Sequence, residues 1–132
     1  MIRRLLLMLG TIAISGCSAS PTLPGGYTVS HGDRGKAWLQ NPDGTMAYAG
    51  LIKRLHRDER RIVLVAHPVS YGGEAAAPYP LDDPCYVALV LDGSTRRMRQ
   101  IHMAEADRLA ARMWEVESYE RPCLKGMPNT PS

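Results

Sequence analysis

Two uninterrupted apolar runs constrain this chain more than any other feature: Ile62-Val63-Leu64-Val65-Ala66 and Tyr86-Val87-Ala88-Leu89-Val90-Leu91. Both are short and rich in β-branched side chains, which suits buried strands better than helix. The second run enters Asp92-Gly93-Ser94, a hairpin turn signal, and returns as Met98 to Met103. A chain holding these elements is committed to an antiparallel sheet before any other residue is considered.

The remaining segments fill out that sheet. Tyr27-Thr28-Val29-Ser30 and Ala37-Trp38-Leu39-Gln40 are short strand candidates, followed by the turn Asn41-Pro42-Asp43-Gly44, where Pro presets one φ and Gly accepts a positive one. Met46 to His56 carries two signals. Tyr48, Leu51, Ile52 and Leu55 fit a helical period, whereas Gly50 and the flanking turns favour a strand in a hairpin. Strand is the expectation. Ala106, Leu109, Ala110, Met113 and Val116 recur at three- and four-residue spacing and predict a helix, which Pro122 helps to stop. The predicted fold class is α+β: a small antiparallel β-meander with one C-terminal helix packed on it and one disulfide.

The N-terminus carries a different message. Arg3 and Arg4 precede the apolar run Leu5-Leu6-Leu7-Met8-Leu9-Gly10-Thr11-Ile12-Ala13-Ile14, the charged-then-hydrophobic pattern of a secretory signal. A bilayer-spanning helix needs roughly 20 apolar residues, and this run is far shorter. The next residues, Ile14-Ser15-Gly16-Cys17, resemble the lipobox of bacterial lipoproteins. The resemblance covers residues 1–17 only. It implies cleavage after Gly16, acylation of Cys17 and, because Ser18 rather than aspartate follows, a periplasm-facing place on the outer membrane. Two or three acyl chains give the stable anchoring that one does not.

Cleavage there leaves 116 of the 132 residues and lowers the balance from 16 basic against 13 acidic to 14 against 13. One small domain fits that length, and a near-neutral charge gives no argument for nucleic-acid binding. Residues 17–26, small and polar with Pro and Gly, are expected to be a flexible tether; residues 27–123 form the domain; residues 124–132 form a disordered tail. With Cys17 acylated, Cys85 and Cys123 remain, and an exported chain meets an oxidising compartment. Their pairing would close a loop of about 38 residues and stabilise by about 4 kcal/mol on the chain-entropy account. A reactive thiolate is the rival reading, but Asp82 and Asp83 would raise the Cys85 pKa rather than lower it. Because the expected helix runs away from Cys85, residues 119–123 would have to turn back sharply to close the bridge.

Two surfaces are candidates for function. Residues 68–84 show no strand or helix period; loops of this length are usually functional or disordered, and Tyr71 and Tyr79 could anchor a partner or merely sit on an exposed connection. Arg57, Arg60 and Arg61 crowd one hairpin turn, and Arg96, Arg97 and Arg99 another, at the end opposite the long loop. Arginine forks suit anionic lipid headgroups, although charged hairpin tips also serve solubility alone. His31, His56, His67 and His102 do not assemble by spacing, and no metal, nucleophile-elbow or phosphate-loop motif is present. No cofactor is expected. The expected function is a non-enzymatic envelope component that binds another envelope protein. An inhibitor of a lysozyme-type enzyme and a hydrolase with a noncontiguous triad are the alternatives.

Overall fold

The structure is a computed structural model that describes residues 23–71, 74–75 and 78–120. Its centre is a five-stranded antiparallel sheet. The strands are β3 (Gly50–Arg57), β4 (Arg61–Pro68), β7 (Val87–Asp92), β8 (Met98–Ile101) and β9 (Trp114–Ser118), in the spatial order β8-β7-β4-β3-β9. β1 (Thr28–His31) and β2 (Ala37–Gln40) form a separate two-stranded ladder, and β5 (Ser70–Tyr71) pairs with β6 (Glu74–Ala75). The helix α1 (Met103–Ala110) links the two outer strands of the main sheet.

The two apolar runs are β4 and β7, the inner neighbours of this sheet, paired from Arg61↔Asp92 to Ala66↔Val87. Their continuous hydrophobicity has a direct cause. Ile62, Leu64, Ala66, Val87, Leu89 and Leu91 point to one face, where Tyr27, Leu39 and Tyr48 cover them. Val63, Val65, Ala88 and Val90 point to the other, beneath Ala106 of α1, with Met103 and Leu109 packed alongside. The sheet is thus the middle of three layers, and neither face can tolerate alternation with polar residues.

From Gly50 onward the ambiguous segment is a strand, while Met46 forms an isolated bridge with Gln40 and residues 47–49 bend into β3. The mixed period of the segment has a structural origin. The β3–β4 register shifts between Ile52 and Arg54, so Lys53 is an extra residue in the strand. A bulge of this kind inverts the side-chain phase. Ile52 and Leu55, three apart, therefore enter the same core. A helical spacing is what a bulged strand looks like in sequence.

The expected C-terminal helix needs correction. α1 ends at Ala110, and the chain then returns as β9, antiparallel to β3. Met113 and Val116 are apolar because they pack against the two cores from outside α1, Val116 doing so from within β9. Tyr119 donates its backbone N–H to the Lys53 carbonyl at 2.8 Å, so the pairing of the chain with β3 continues one residue past β9.

The expected tether is shorter than its composition implies. Leu23 is only 1% exposed and belongs to the core beneath β1 and β2. Pro24–Gly26 then form a single 3-10 turn against the β7–β8 hairpin. The packed fold therefore includes Leu23, within the expected tether, and the expected signal 1–16, Cys17, the tail 124–132 and Cys123 lie outside the described residues.

Candidate functional site

The two ends of the main sheet differ in chemistry. At one end lie the β3–β4 and β7–β8 turns, joined by a hydrogen bond from the Gly93 N–H to the Arg60 carbonyl at 2.7 Å. Each turn is built around an aspartate. Asp58 accepts the backbone N–H groups of Arg60 and Arg61 at 2.8 and 2.6 Å and pairs with the Arg61 guanidinium at 3.0 Å. Asp92 accepts from Ser94 and Thr95 backbone N–H groups at 2.8 and 3.0 Å. The Ser94 hydroxyl and these amides hold the Asp92 carboxyl well below its usual range, at about 2.

The arginines predicted to gather there do so only in part. Arg60, Arg61, Arg96 and Arg97 are exposed on the two turns. Arg96 sits in the left-handed region, φ 59°, at a turn position usually given to Gly or Asn. Arg57 is half-buried, with its guanidinium carbon 5.6 Å from the Trp114 ring centroid. Arg99 stands apart: it faces α1 and pairs with Glu105 at 3.6 Å. The phase of β8 explains this, since Arg99 lies on the same face as Ile101, towards the helix.

Sequence reasoning missed three features of this end. Trp114 is the most exposed large hydrophobic residue among those described, at 61%, and opposite Arg57 it opens β9 at the level of the turns. Lying within the span of the expected helix but outside its apolar period, Trp114 gives no sign of this in sequence. Arg112, two residues earlier on the turn into β9, is exposed too. The third is the N-terminal turn itself. An open groove of about 510 Å³ runs between Pro24, Gly25, Glu59, Arg60, Asp92 and Ser94.

The opposite end is ordered where the sequence offered only an aperiodic loop. The Gln100 amide donates to the Tyr79 carbonyl at 2.5 Å, and the Tyr48 hydroxyl donates to the Pro78 carbonyl at 3.2 Å. Asp82 accepts the Met103 N–H, the first amide of α1, at 3.2 Å, where the helix dipole favours a carboxylate. Asp83 accepts the Cys85 and Tyr86 N–H groups, both at 2.9 Å, and so starts β7. On this stapled segment Tyr79 and Leu81 are 48% and 57% exposed. The Tyr71 side chain lies outside the described residues, though its backbone forms β5.

Three of the four histidines meet carboxylates: His31 Nε2 with Glu117 at 2.7 Å, His56 Nε2 with Glu115 at 3.8 Å and His102 Nδ1 with Asp82 at 3.3 Å. The fourth, His67, is buried, with its Nδ1 3.0 Å from the Pro68 carbonyl and its ring edge-on to Tyr86 at 5.9 Å. A carbonyl only accepts, so Nδ1 carries the proton there. Burial drives the His56 pKa below its ordinary value, with Glu115 opposing the shift and Arg54 reinforcing it. Among the described residues, no three His, Cys, Asp or Glu side chains converge as a metal site would require. No protein-family model matches the chain, and comparison with curated proteins and with solved structures finds no match.

Proposed function

We propose that this chain is a lipid-anchored envelope lipoprotein whose small domain binds or positions another envelope protein rather than catalysing a reaction. The observation that carries the reading is the short distance between anchor and fold. Ile14-Ser15-Gly16-Cys17 resembles a lipobox, and the chain is already packed into the domain at Leu23, six residues later. Among the described residues no helix is long and apolar enough to cross a membrane, so acyl chains on Cys17 are the means of attachment in this reading. Ser18 favours the outer membrane, with the domain facing the periplasm.

The Cys85–Cys123 pairing belongs to the same proposal. Cys85 is 2% exposed. The sharp return that a long helix would have demanded is replaced by β9, which brings Tyr119 to Lys53. The Lys53 ammonium in turn lies 4.7 Å from the centre of the Tyr86 ring, beside Cys85. Four residues reach about 14 Å from Tyr119, comparable to the three strand spacings separating β9 from β7. The partner surface in this reading is the stapled loop, where Tyr79 and Leu81 present apolar area beside Asp82. Its anchored backbone lowers the ordering cost of binding.

Intact mass of the membrane-extracted protein tests the anchor. Cleavage before Cys17 with added acyl mass is expected, and Cys17→Ser should leave the chain unacylated and released from the membrane. A wild-type chain that is uncleaved, or cut elsewhere without acylation, removes the proposal. Crosslinking in intact envelopes, repeated with Tyr79→Ser/Leu81→Ser, tests the loop. A partner retained equally by both proteins would place binding elsewhere.

A further inference from the structure

The chain leaves the domain at one particular place, and that place selects which surface meets the membrane. Pro24 packs against the β7–β8 turn so closely that a Cβ added to Gly93 would fall 2.7 Å from its side chain. Leu23 and Pro24 therefore issue from the end bearing the two hairpin turns. From Leu23 back to Cys17 the chain is six residues long, a reach of about 20 Å when fully extended. Strands such as β3 and β4, of eight residues, are themselves about 27 Å long. An anchor at Cys17 thus holds the turn end close to the headgroups and the stapled loop roughly a strand length further off.

The side chains at the two ends agree with that placement. The turn end presents Arg60, Arg61, Arg96, Arg97 and Arg112 to solvent. Asp58, Asp92 and Asp43 accept turn amides and stay ionised, and Asp58 also pairs with Arg61 at 3.0 Å, so they offset part of the positive charge of the five arginines. Glu59, Asp43 and Glu115 are exposed carboxylates at the same end. Trp114 stands at the same level with Arg57 over its ring, and an aromatic body with cations around it suits the boundary between headgroup and acyl chain. The far end instead carries Asp82 and Asp83 next to Tyr79 and Leu81.

Resting on the lipoprotein reading, we infer that the domain docks by this end onto the anionic headgroups of the membrane that holds Cys17, with Trp114 in the interface and the stapled loop directed outward. Guanidinium groups on phosphate provide the attraction, and each basic residue near an anionic surface adds to it. The short tether supplies the effective concentration, so the contacts need not be strong enough to bind a free domain.

Tryptophan emission reads this out, because the chain has two tryptophans and W38F leaves Trp114 as the sole reporter. The acylated W38F protein is placed in vesicles of phosphatidylcholine with phosphatidylglycerol as the minor component, a fraction of the phosphatidylcholine carrying a nitroxide on its headgroup. Trp114 should be quenched by the nitroxide and shielded from aqueous iodide. Both effects should fade in vesicles of phosphatidylcholine alone and in R60Q/R96Q/R97Q, while the chain stays on the vesicles through its lipid. R60Q/R97Q, which leaves the left-handed turn position untouched, should give an intermediate loss. Trp114 unquenched in the acylated protein overturns the orientation, as does quenching that is indifferent to both arginine variants and lipid charge. Intact mass separates failure of the anchor from failure of the orientation: an unacylated wild type removes both, an acylated but unquenched one only the second.

Discussion

Gly93→Ala probes the junction between the N-terminal turn and the sheet. The added Cβ would lie 2.7 Å from the Pro24 side chain, 2.9 Å from its carbonyl carbon and 3.0 Å from the Arg60 carbonyl oxygen. Two of these three neighbours are backbone, so rotamer changes cannot relieve the clash. Gly25 blocks the other way out, since it lies against the Gly93 carbonyl oxygen at a positive φ of 83°. The domain then has two responses. It can accept the overlap, which in packed interiors costs about 1–3 kcal/mol. Or it can release the turn and expose Leu23, which forfeits about 1.5–3 kcal/mol of burial. The cheaper response sets the outcome, so the expected destabilisation is about 2 kcal/mol, and at roughly 4–8 °C per kcal/mol for a domain of this size Tm falls by about 8–16 °C.

Urea titration of the purified full chain in mild detergent measures this through the transition midpoint and slope. The cycle with Leu23→Ala supplies the sharper comparison. Leu23→Ala alone should cost about 2–5 kcal/mol, as a buried leucine does. In that background releasing the turn forfeits less, and Gly93→Ala should cost under about 1 kcal/mol. A Gly93→Ala protein within about 0.5 kcal/mol of wild type would refute the reasoning. So would a full, additive cost in the Leu23→Ala background, because the clash would then act somewhere other than on the docked turn.

Three further outcomes are expected. Cys85→Ser and Cys123→Ser should each lose about 2–4 kcal/mol and the double variant little more, with non-reducing peptide mapping showing one bridged pair; a neutral Cys123→Ser would exclude the pairing. Burial lowers the folded-state His56 pKa, so the folded state binds fewer protons than the unfolded one. Its stability contribution is complete above about pH 6.5 and lost as pH falls below it, and His56→Gln should flatten the slope of the urea midpoint between pH 7.5 and 5.5. Asp92 is likewise depressed, to about 2, so its contribution is present above pH 4 and lost on acidification towards 2. Asp92→Ala should lower the urea midpoint at neutral pH and remove that part of the acid limb; an acid limb identical to wild type would show that the turn bonds do not set it.

What the sequence disclosed, and what it withheld, follows physical lines. The strands β4 and β7 are legible because both of their faces are covered, which writes apolarity into consecutive positions. β1, β2 and the Asn41–Gly44 turn are legible from local chemistry, and the Gly44 N–H does bond to the Asn41 carbonyl at 2.9 Å. That β1 and β2 form their own ladder is not legible, since His31 finding Glu117 across 86 residues leaves no local mark. The helix looks longer in sequence than it is because Met113 and Val116 fall at helical spacing from Ala106 while packing from other elements. Leu23 looks like tether in sequence because one apolar residue among Pro, Gly and Thr has no period. The two arginine-bearing turns followed from hairpin topology, whereas the exposed Trp114 beside them required knowing that β9 begins there.

The way Leu23 is seated also bears on how the domain responds to load. If Cys17 is the anchor, as proposed, a pull on it would meet Leu23 and Pro24 before any paired strand among the described residues. The β1–β2 ladder lies behind them in chain order, so tension would draw out the leucine, then the 3-10 turn, before straining the strand pairs. Such a junction peels stepwise under force while the three-layered core stays closed. In the proposed lipoprotein the first step would lengthen the link to the membrane by several residues, making the docked turn a short extensible element in series with the acyl anchor.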